Sequence, residues 1–190
     1  MEYVDKKPLI ICICGKARSG KSTVSSYLEK YFVKLNKKVI ISQYTKYLKK
    51  YISDITGNNV TDDEKPRDLL QNLSSELIKG ILSDKDFFIR RQIEDVKFYS
   101  YFFDVILIND VRFPKEISVL KNKFPNVYSI GVKRDNYEDD LTVKQKNDIT
   151  ETSLDSYNEY DFIINNNDIN DLEKHVLNIF KDIRKKVYDE

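Results

Sequence analysis

The sequence has little of the two residue types that most often build metal sites and hydrolytic sites. Its 190 residues include one histidine and two cysteines. The histidine, His175, lies far along the chain from Cys12 and Cys14, so the clustered ligands of a zinc site are lacking. The placement of the histidine also excludes a Ser-His-Asp or Cys-His arrangement for hydrolysis. We expect both thiols, which share one face of a predicted strand, to be buried, reduced and inert.

The sequence also lacks an excess of charge of either sign and any long apolar run. Lysine and arginine together number 32, and aspartate and glutamate 31, which argues against a general electrostatic attraction to nucleic acid or membrane surfaces. No apolar run approaches the roughly 20 residues of a membrane-spanning helix, and the N-terminus lacks the plan of a signal peptide. We therefore predict a cytoplasmic protein without nucleic-acid or membrane partners, folded as a single domain over residues 1–190.

A phosphate-binding motif is present near the N-terminus. Residues 15–22 match the pattern G-x-x-x-x-G-K-[ST], with Gly15, Gly20, Lys21 and Ser22 at its fixed positions. The glycines let backbone N–H groups turn toward phosphate oxygens, Lys21 would reach the β- and γ-phosphates, and Ser22 would bind Mg²⁺. An apolar strand is predicted before the loop at residues 8–14, and an amphipathic helix after it at residues 21–36. This context predicts a nucleotide-binding loop.

Strands and helices alternate along the rest of the chain. Apolar segments at residues 38–42, 104–110, 126–133 and 161–165 predict four more strands, and helices are predicted at residues 43–52, 66–82, 86–103, 114–124 and 169–187. The alternation predicts an α/β fold with three layers, in which a five-stranded, mainly parallel sheet lies between helices, as in P-loop NTPases. Residues 134–157 are polar and long for a connection, which favours a mobile lid or flap.

Two charged residues follow the strand predicted at residues 104–110. Asp110 would stand at the carboxyl end of that strand, where ligands gather in α/β sheets, and is the predicted carboxylate for Mg²⁺. Arg112 follows two positions later, and its planar guanidinium suits bidentate binding of phosphate. Together with the loop, these residues predict a phosphoryl-transfer site.

The motif blocks carry a resemblance to a known family. In chain order, these blocks are the phosphate loop, Lys65-Pro66-Arg67 with Leu70 and Gln71, Asp110-Val111-Arg112-Phe113-Pro114 with Glu116, and Glu151-Thr152-Ser153-Leu154-Asp155. This order resembles the deoxynucleoside monophosphate kinases of bacteriophages and their bacterial relatives. The resemblance implies a nucleoside monophosphate kinase-like fold, with ATP and Mg²⁺ as cofactors and a nucleoside monophosphate as the acceptor. It also implies an acceptor-binding helical region at residues 43–103.

The resemblance also implies roles for individual residues. Lys21, Asp110 and Arg112 would be catalytic, Ser22 and Asp110 would bind the metal, and Arg67, Gln71 and Arg112 would bind the acceptor. Arg134, together with Lys144 and Lys146, would come from the flap that closes over ATP. The loop residues expected to hold the phosphates of ATP are Gly15, Lys16, Ala17, Arg18, Ser19, Gly20, Lys21, Ser22 and Thr23.

Three positions differ from the family's pattern, and several alternatives stay open. Ser22, Ser74 and Asp148 stand where the family often has aspartate, glycine and histidine. A dephospho-coenzyme A or phosphomevalonate kinase of the same architecture, or a nucleotide-dependent switch, would also fit the phosphate loop. The guanine-reading pattern N-K-x-D is lacking, because Val39 follows Asn36-Lys37-Lys38, which argues against a GTPase. The sequence does not decide the acceptor's base and sugar, the role of Arg90-Arg91, or between a monomer and a homodimer.

Overall fold

The computed structural model describes residues 4–57, 67–74, 80, 83–135 and 141–188. The strands are β1 (Leu9–Cys14), β2 (Val39–Ser42), β3 (Val105–Val111), β4 (Val127–Lys133) and β5 (Phe162–Asn165). The helices are α1 (Lys21–Lys34), α2 (Lys46–Thr56), α3 (Arg67–Asn72), α4 (Phe87–Tyr99), α5 (Pro114–Lys123), α6 (Val143–Lys146), α7 (Ile149–Thr152) and α8 (Ile169–Tyr188).

The five strands form one parallel sheet in the order β2-β3-β1-β4-β5. β1 lies at the centre, where Ile10 pairs with Ile106 of β3 on one side and with Val127 of β4 on the other. All six residues of β1 are buried, because helices cover both faces of a parallel sheet and its central strand meets no water. The predicted α/β fold with a five-stranded parallel sheet is confirmed.

The core divides into two clusters, one on each face of the sheet, because alternate side chains of a strand point to opposite faces. On one face, Leu9, Ile11 and Ile13 pack with residues of α1 and α8. On the other, Ile10, Cys12 and Cys14 pack with residues of α2, α4 and α5. Helix, sheet and helix therefore make the three predicted layers, and the phosphate loop leaves the sheet at the end of its central strand.

The two cysteines lie in the second cluster and form no disulfide. Burial raises the pKa of the Cys12 thiol to about 12, and burial also raises the pKa of Cys14. The prediction that both thiols are buried and unpaired on one face is confirmed. His175 is exposed on α8, whereas both cysteines are buried in β1.

Several helices begin or end at positions other than those predicted. α1 ends at Lys34, before Asn36 takes a left-handed conformation with φ of 57°. α2 begins at Lys46 instead of residue 43, because Asp110 holds the preceding backbone, and it ends at Thr56, before Gly57 with φ of 71°. α4 ends at Tyr99, followed by a turn. Of the helix predicted at residues 66–82, residues 67–72 are α-helical and residues 73–74 π-helical, and most of the remainder lies outside the described residues.

Among the helices that the structure describes, none has both the length and the apolar character that crossing a membrane would require.

Candidate functional site

The phosphate loop connects β1 to α1, and both of its motif glycines are required by geometry. Gly15 and Gly20 have φ of 146° and 105°, a region that favours glycine. A Cβ atom on Gly15 would lie 2.4 Å from the carbonyl oxygen of Val132, and one on Gly20 would lie 2.5 Å from Nδ2 of Asn166. Arg18 between them also has a positive φ, of 59°. The loop therefore curls tightly against the ends of β4 and β5.

Lys21 curls back over the loop. Its side chain is almost buried, and Nζ donates a hydrogen bond to the carbonyl oxygen of Lys16 at 2.6 Å. Ser22 is exposed at the first turn of α1, and Thr23 is half-buried. Ser19 is buried, and its Oγ makes no hydrogen bond within the described part of the chain. The loop thus places an ammonium group and the hydroxyls of Ser19 and Ser22 at the start of a helix, where the helix dipole favours anions.

Asn166 supports the loop from the end of β5, a contact that sequence reasoning did not identify. Its buried Nδ2 donates to the carbonyl oxygen of Ser19 at 2.8 Å, and its own backbone N–H donates to Lys133 at the end of β4. Asn166 is the middle residue of a run of three asparagines that starts at the last residue of β5, and sequence reasoning gave it no role.

Asp110 lies at the carboxyl end of β3, as predicted, and its carboxylate fixes the start of α2. Its two oxygens accept hydrogen bonds from the backbone N–H of Tyr44 at 2.8 Å, the backbone N–H of Thr45 at 3.0 Å and the hydroxyl of Thr45 at 2.7 Å. The adjacent Asn109 accepts a hydrogen bond from Gln43 at 2.9 Å and donates one to Ser25 of α1 at 3.3 Å. This edge of the sheet is therefore tied to both neighbouring helices.

The structure brings Arg112 to the phosphate loop. Its Nη1 donates to the carbonyl oxygen of Gly15 at 3.1 Å and to Oε2 of Glu151 at 2.8 Å. Its backbone N–H donates to Oε2 of the buried Glu116, which also accepts from the N–H of Phe113 and caps α5. The position of Arg112 after β3 predicts that it binds phosphate, and the structure places this arginine against the phosphate loop.

The segment after β4 packs back onto the loop. Ala17 donates its backbone N–H to Oε2 of Glu151 at 2.7 Å, and Lys16 forms an ion pair with Asp155 at 2.8 Å. Sequence reasoning gave these two carboxylates no role, although both belong to the Glu151–Asp155 block that carried the resemblance. Leu154 and Tyr157 anchor the end of this segment against the core, and the mobile lid predicted at residues 134–157 stays a prediction.

A cleft of about 290 Å³ lies between the loop, the end of β4 and the α7 segment. Its polar wall includes Lys16, Ser19, Arg134 and Thr150. Tyr160 closes another side and lies so near Gly131 that a Cβ atom there would be 2.8 Å from the ring. The cleft has the size of a small polar ligand and opens directly onto the phosphate loop.

Of the remaining predicted residues, one contacts the loop and two lie in α3. Arg134 is exposed, and its Nη1 donates to the carbonyl oxygen of Arg18 at 3.4 Å, so it reaches the loop. Gln71 is half-buried in α3, which contacts α2. Arg67 begins α3, but its side chain, with Lys65, Pro66 and Glu76, lies outside the described residues. The structure therefore leaves the predicted acceptor contacts as predictions.

Of four further basic residues, Lys144, Lys146 and Arg90 are exposed and Arg91 is half-buried. Lys144 and Lys146 are exposed on α6. Arg90 pairs with Asp84 at 2.8 Å, and Arg91 pairs with Glu94 and lies over the ring of Tyr47. The two arginines of α4 are thus engaged in ion pairs with nearby carboxylates.

The residues at the loop fit Mg²⁺ bound together with a nucleotide. No group of three or more histidine, cysteine, aspartate or glutamate side chains in the described ranges is arranged to hold a metal by protein ligands alone. Mg²⁺ in phosphate-transfer sites is held instead by one or two protein oxygens, by phosphates and by water. The exposed Ser22 hydroxyl suits such a site, whereas both oxygens of Asp110 already accept hydrogen bonds from Tyr44 and Thr45, so metal binding by Asp110 stays a prediction.

Comparison with solved structures shows the fold. The chain is similar to the Mycobacterium tuberculosis APS kinase CysC in complex with AMPPNP and APS, with a TM-score of 0.57, 10% identity and coverage of 94% of this chain and 98% of that one. A Cys556Ala mutant of the same enzyme gives a TM-score of 0.53 at 9% identity over 94% and 97% of the two chains. Shikimate kinase from Aquifex aeolicus gives 0.50 at 14% identity over 96% and 100%. At these identities the similarity establishes a P-loop kinase fold.

Sequence comparison identifies a family. A search of curated proteins found no match to this chain. The sequence model of the family described as "Chromatin associated protein KTI12" matches residues 7–102, slightly more than half of the chain, from β1 through the phosphate loop to α4. That family is not the deoxynucleoside monophosphate kinase family that the motif blocks resemble, so the narrower assignment remains a proposal. The chain belongs to the KTI12 family and has the fold of a P-loop kinase.

Proposed function

We propose that this protein transfers the γ-phosphoryl group of ATP to a small phosphorylated acceptor, with a deoxynucleoside monophosphate as the favoured acceptor. The observation that carries the proposal is the contact between Arg112 and the phosphate loop, in which Nη1 lies 3.1 Å from the Gly15 carbonyl oxygen. A loop that only bound ATP would need no arginine from the carboxyl end of the neighbouring strand β3. A guanidinium beside the loop can contact both the transferred phosphoryl group and an acceptor phosphate.

In this mechanism the protein supplies position and positive charge. The loop N–H groups and the Lys21 ammonium would hold the β- and γ-phosphates, and Arg112 would stabilise the charge on the transferring group. Bound Mg²⁺, held by Ser22 and by Asp110 directly or through water, would supply further neutralisation of phosphate charge. The acceptor phosphate is already anionic near neutral pH, so a strong general base is unnecessary. The α7 segment over the loop would limit the access of water.

The choice of a nucleotide acceptor rests on the motif blocks. The block with Arg67 and Gln71 resembles the acceptor helix of deoxynucleoside monophosphate kinases, and α3 lies in the predicted acceptor region with α2 and α4. Dephospho-coenzyme A and phosphomevalonate kinases share the architecture without that block. A panel of acceptors would distinguish these alternative kinases from a deoxynucleoside monophosphate kinase.

A nucleotide-dependent switch is the second candidate function. The family's description as a chromatin associated protein favours it, because association with a macromolecular assembly requires no small-molecule acceptor. In this case ATP would bind at the same loop, and slow hydrolysis would replace transfer to an acceptor.

The test is a phosphotransfer assay with Mg-ATP and all ribo- and deoxynucleoside monophosphates, dephospho-coenzyme A and phosphomevalonate. The Lys21→Ala variant should lose at least about 10²-fold in turnover, the usual cost of removing a charge-stabilising donor. Lys30→Ala, which removes an exposed lysine of the same helix, is the matched control and should be unchanged. Turnover of deoxynucleotides that depends on Lys21 supports the proposal. ATP binding without transfer to any acceptor would contradict it and favour the switch.

A further inference from the structure

One carboxylate oxygen joins three separate parts of the candidate site. Oε2 of Glu151 accepts the backbone N–H of Ala17 in the phosphate loop at 2.7 Å and Nη1 of Arg112 after β3 at 2.8 Å. Glu151 itself lies in α7. The loop, the β3–α5 connection and α7 are far apart in sequence, so this single oxygen fixes their relative positions.

The contacts of Arg112 are concentrated on one nitrogen. Nη1 is the atom that faces the carbonyl oxygens of Gly15 and Thr150 and the carboxylate of Glu151. The backbone of Arg112 is held separately by Glu116. Within the described residues, Nη2 and Nε of Arg112 make no hydrogen bond, so the rest of the planar group has N–H donors left for a phosphate.

The α7 segment holds Glu151 firmly. Before it, the side chain of Asp148 accepts hydrogen bonds from the N–H and hydroxyl of Thr150 at 2.8 and 2.6 Å. After it, Leu154 and Tyr157 pack against the core. Glu151 is 8% exposed. Glu151 is thus a buried carboxylate with two hydrogen-bond donors, and the residues before and after it are held in place. These are the features of a permanent structural contact.

We propose that Glu151 is a positioning residue for the phosphoryl transfer proposed above, on which this inference rests. It holds Arg112 by Nη1 against the phosphate loop and thereby leaves the Nη2 and Nε donors in place for the phosphate that is transferred. The alternative is a carboxylate that only occupies the place of a phosphate and must leave when ATP binds. If Glu151 positions Arg112, removing its charge should lower kcat. If the carboxylate competes with phosphate, removing its charge should lower the KM for ATP or raise kcat.

The kinetic test uses Glu151→Gln, Glu151→Asp and Arg112→Ala, with the exposed Glu159→Gln as the matched control. Glu151→Gln should lower kcat by about 10- to 100-fold, because a small misplacement of a positioning group has effects of this size, and should leave the KM for ATP within about threefold. Glu151→Asp should recover part of kcat. In the Arg112→Ala background, Glu151→Gln should add less than about threefold, because both changes remove the same interaction.

Two kinetic outcomes would overturn the inference. A lower KM for ATP or a higher kcat in Glu151→Gln would identify a carboxylate that competes with phosphate. A loss of kcat of equal size in the presence and absence of Arg112 would show that Glu151 acts independently of the arginine.

A measurement without turnover separates this inference from the proposed function. In ¹⁵N NMR spectra of arginine side chains, with the Arg112 signal assigned by its loss in Arg112→Lys, rotation about the Cζ–Nη bonds should be slow in the wild type and fast in Glu151→Gln. If no acceptor is phosphorylated but this difference is found, Glu151 positions Arg112 and the proposed function is wrong. Fast rotation in the wild type would overturn the positioning role whatever the activity.

Discussion

At the residue scale, the phosphate loop depends on backbone conformations that only glycine adopts without strain. Gly20 combines φ of 105° with a neighbour, Nδ2 of Asn166, that lies where a Cβ atom would project. Gly57, which ends α2, also has a positive φ, of 71°, but nothing lies within 4 Å of its Cβ position. The two glycines therefore share the conformational constraint and differ in the steric one.

This pair gives a matched test of the loop. We expect Gly57→Ala to lower the free energy of unfolding by about 1 kcal/mol, the cost of a left-handed alanine, and to leave ATP binding unchanged. Gly20→Ala should also displace Asn166 and the loop N–H groups, and should weaken ATP binding by at least about tenfold. Urea titration and fluorescent ATP-analogue binding measure the two effects. Equal ATP affinity in the two variants would contradict the steric argument.

At the element scale, Asp161 connects the last two strands of the sheet and the α5 layer. Its Oδ2 accepts the N–H of Ser129 at 2.7 Å and the Ser129 hydroxyl at 2.8 Å in β4, and it pairs with Lys121 of α5 at 2.7 Å. Burial acts to raise the pKa of Asp161, but the hydrogen bonds from Lys121 and Ser129 outweigh it, and the net pKa is lowered. The carboxylate of Asp161, the residue just before β5, is therefore stabilised in its charged form.

The lowered pKa predicts how stability depends on pH. In the unfolded chain an aspartate titrates at about 3.9, so below that pH the unfolded state takes up the proton first and the contribution of Asp161 is lost as pH falls through its folded pKa. At pH 7 we expect Asp161→Asn to lower the free energy of unfolding by about 1.5 kcal/mol, typical of a hydrogen bond to a charged group.

The difference between wild type and Asp161→Asn should shrink between pH 5 and about pH 3, as measured by urea unfolding at each pH. Asp182→Asn, an exposed aspartate of α8, serves as the control and should have little effect at any pH. A difference that stayed constant with pH would show that Asp161 acts through packing and not through its charge.

Also at the element scale, α7 is a helix of four residues whose position matters more than its length. Thr150 and Glu151 lie on it, and the block continues through Leu154, which packs in the core, to Asp155, which pairs with Lys16. A short polar helix is rarely stable alone. Its contacts with the phosphate loop and the core hold it, so the segment and the loop are stabilised together.

At the scale of the whole molecule, the central position of β1 makes its thiols reporters of global unfolding. Cys12 and Cys14 are fully buried between β3 and β4 and beneath the helices on their face. The raised pKa of both thiols further disfavours the reactive thiolate.

We therefore expect both cysteines to react with a thiol reagent at pH 8 only at the rate set by global opening of the sheet. Labelling followed by mass spectrometry should show the two thiols modified together, and urea should accelerate both equally. Rapid labelling of either thiol in the absence of urea would contradict the burial of β1.

Also at the whole-molecule scale, the family match and the fold of this chain are associated with different kinds of protein. The fold is that of small-molecule P-loop kinases, and the family is described as chromatin associated. The phosphate-loop motif, with β1 before it and α1 after it, lies in the part of the chain that the family match includes, and phosphate binding at such a motif would serve either activity. The acceptor panel decides between transfer and switching.

The sequence by itself determined the sheet, the phosphate loop and the position of Asp110 and Arg112, because these depend on local patterns. A run of apolar residues ending in a glycine motif specifies a buried strand, a loop and a helix within about 30 residues. Only the tertiary structure decided which partners those residues have. Asp110 holds Tyr44 and Thr45, and Arg112 meets Glu151 across the loop. Such contacts join residues dozens of positions apart, and a single sequence carries no periodicity or spacing that specifies them.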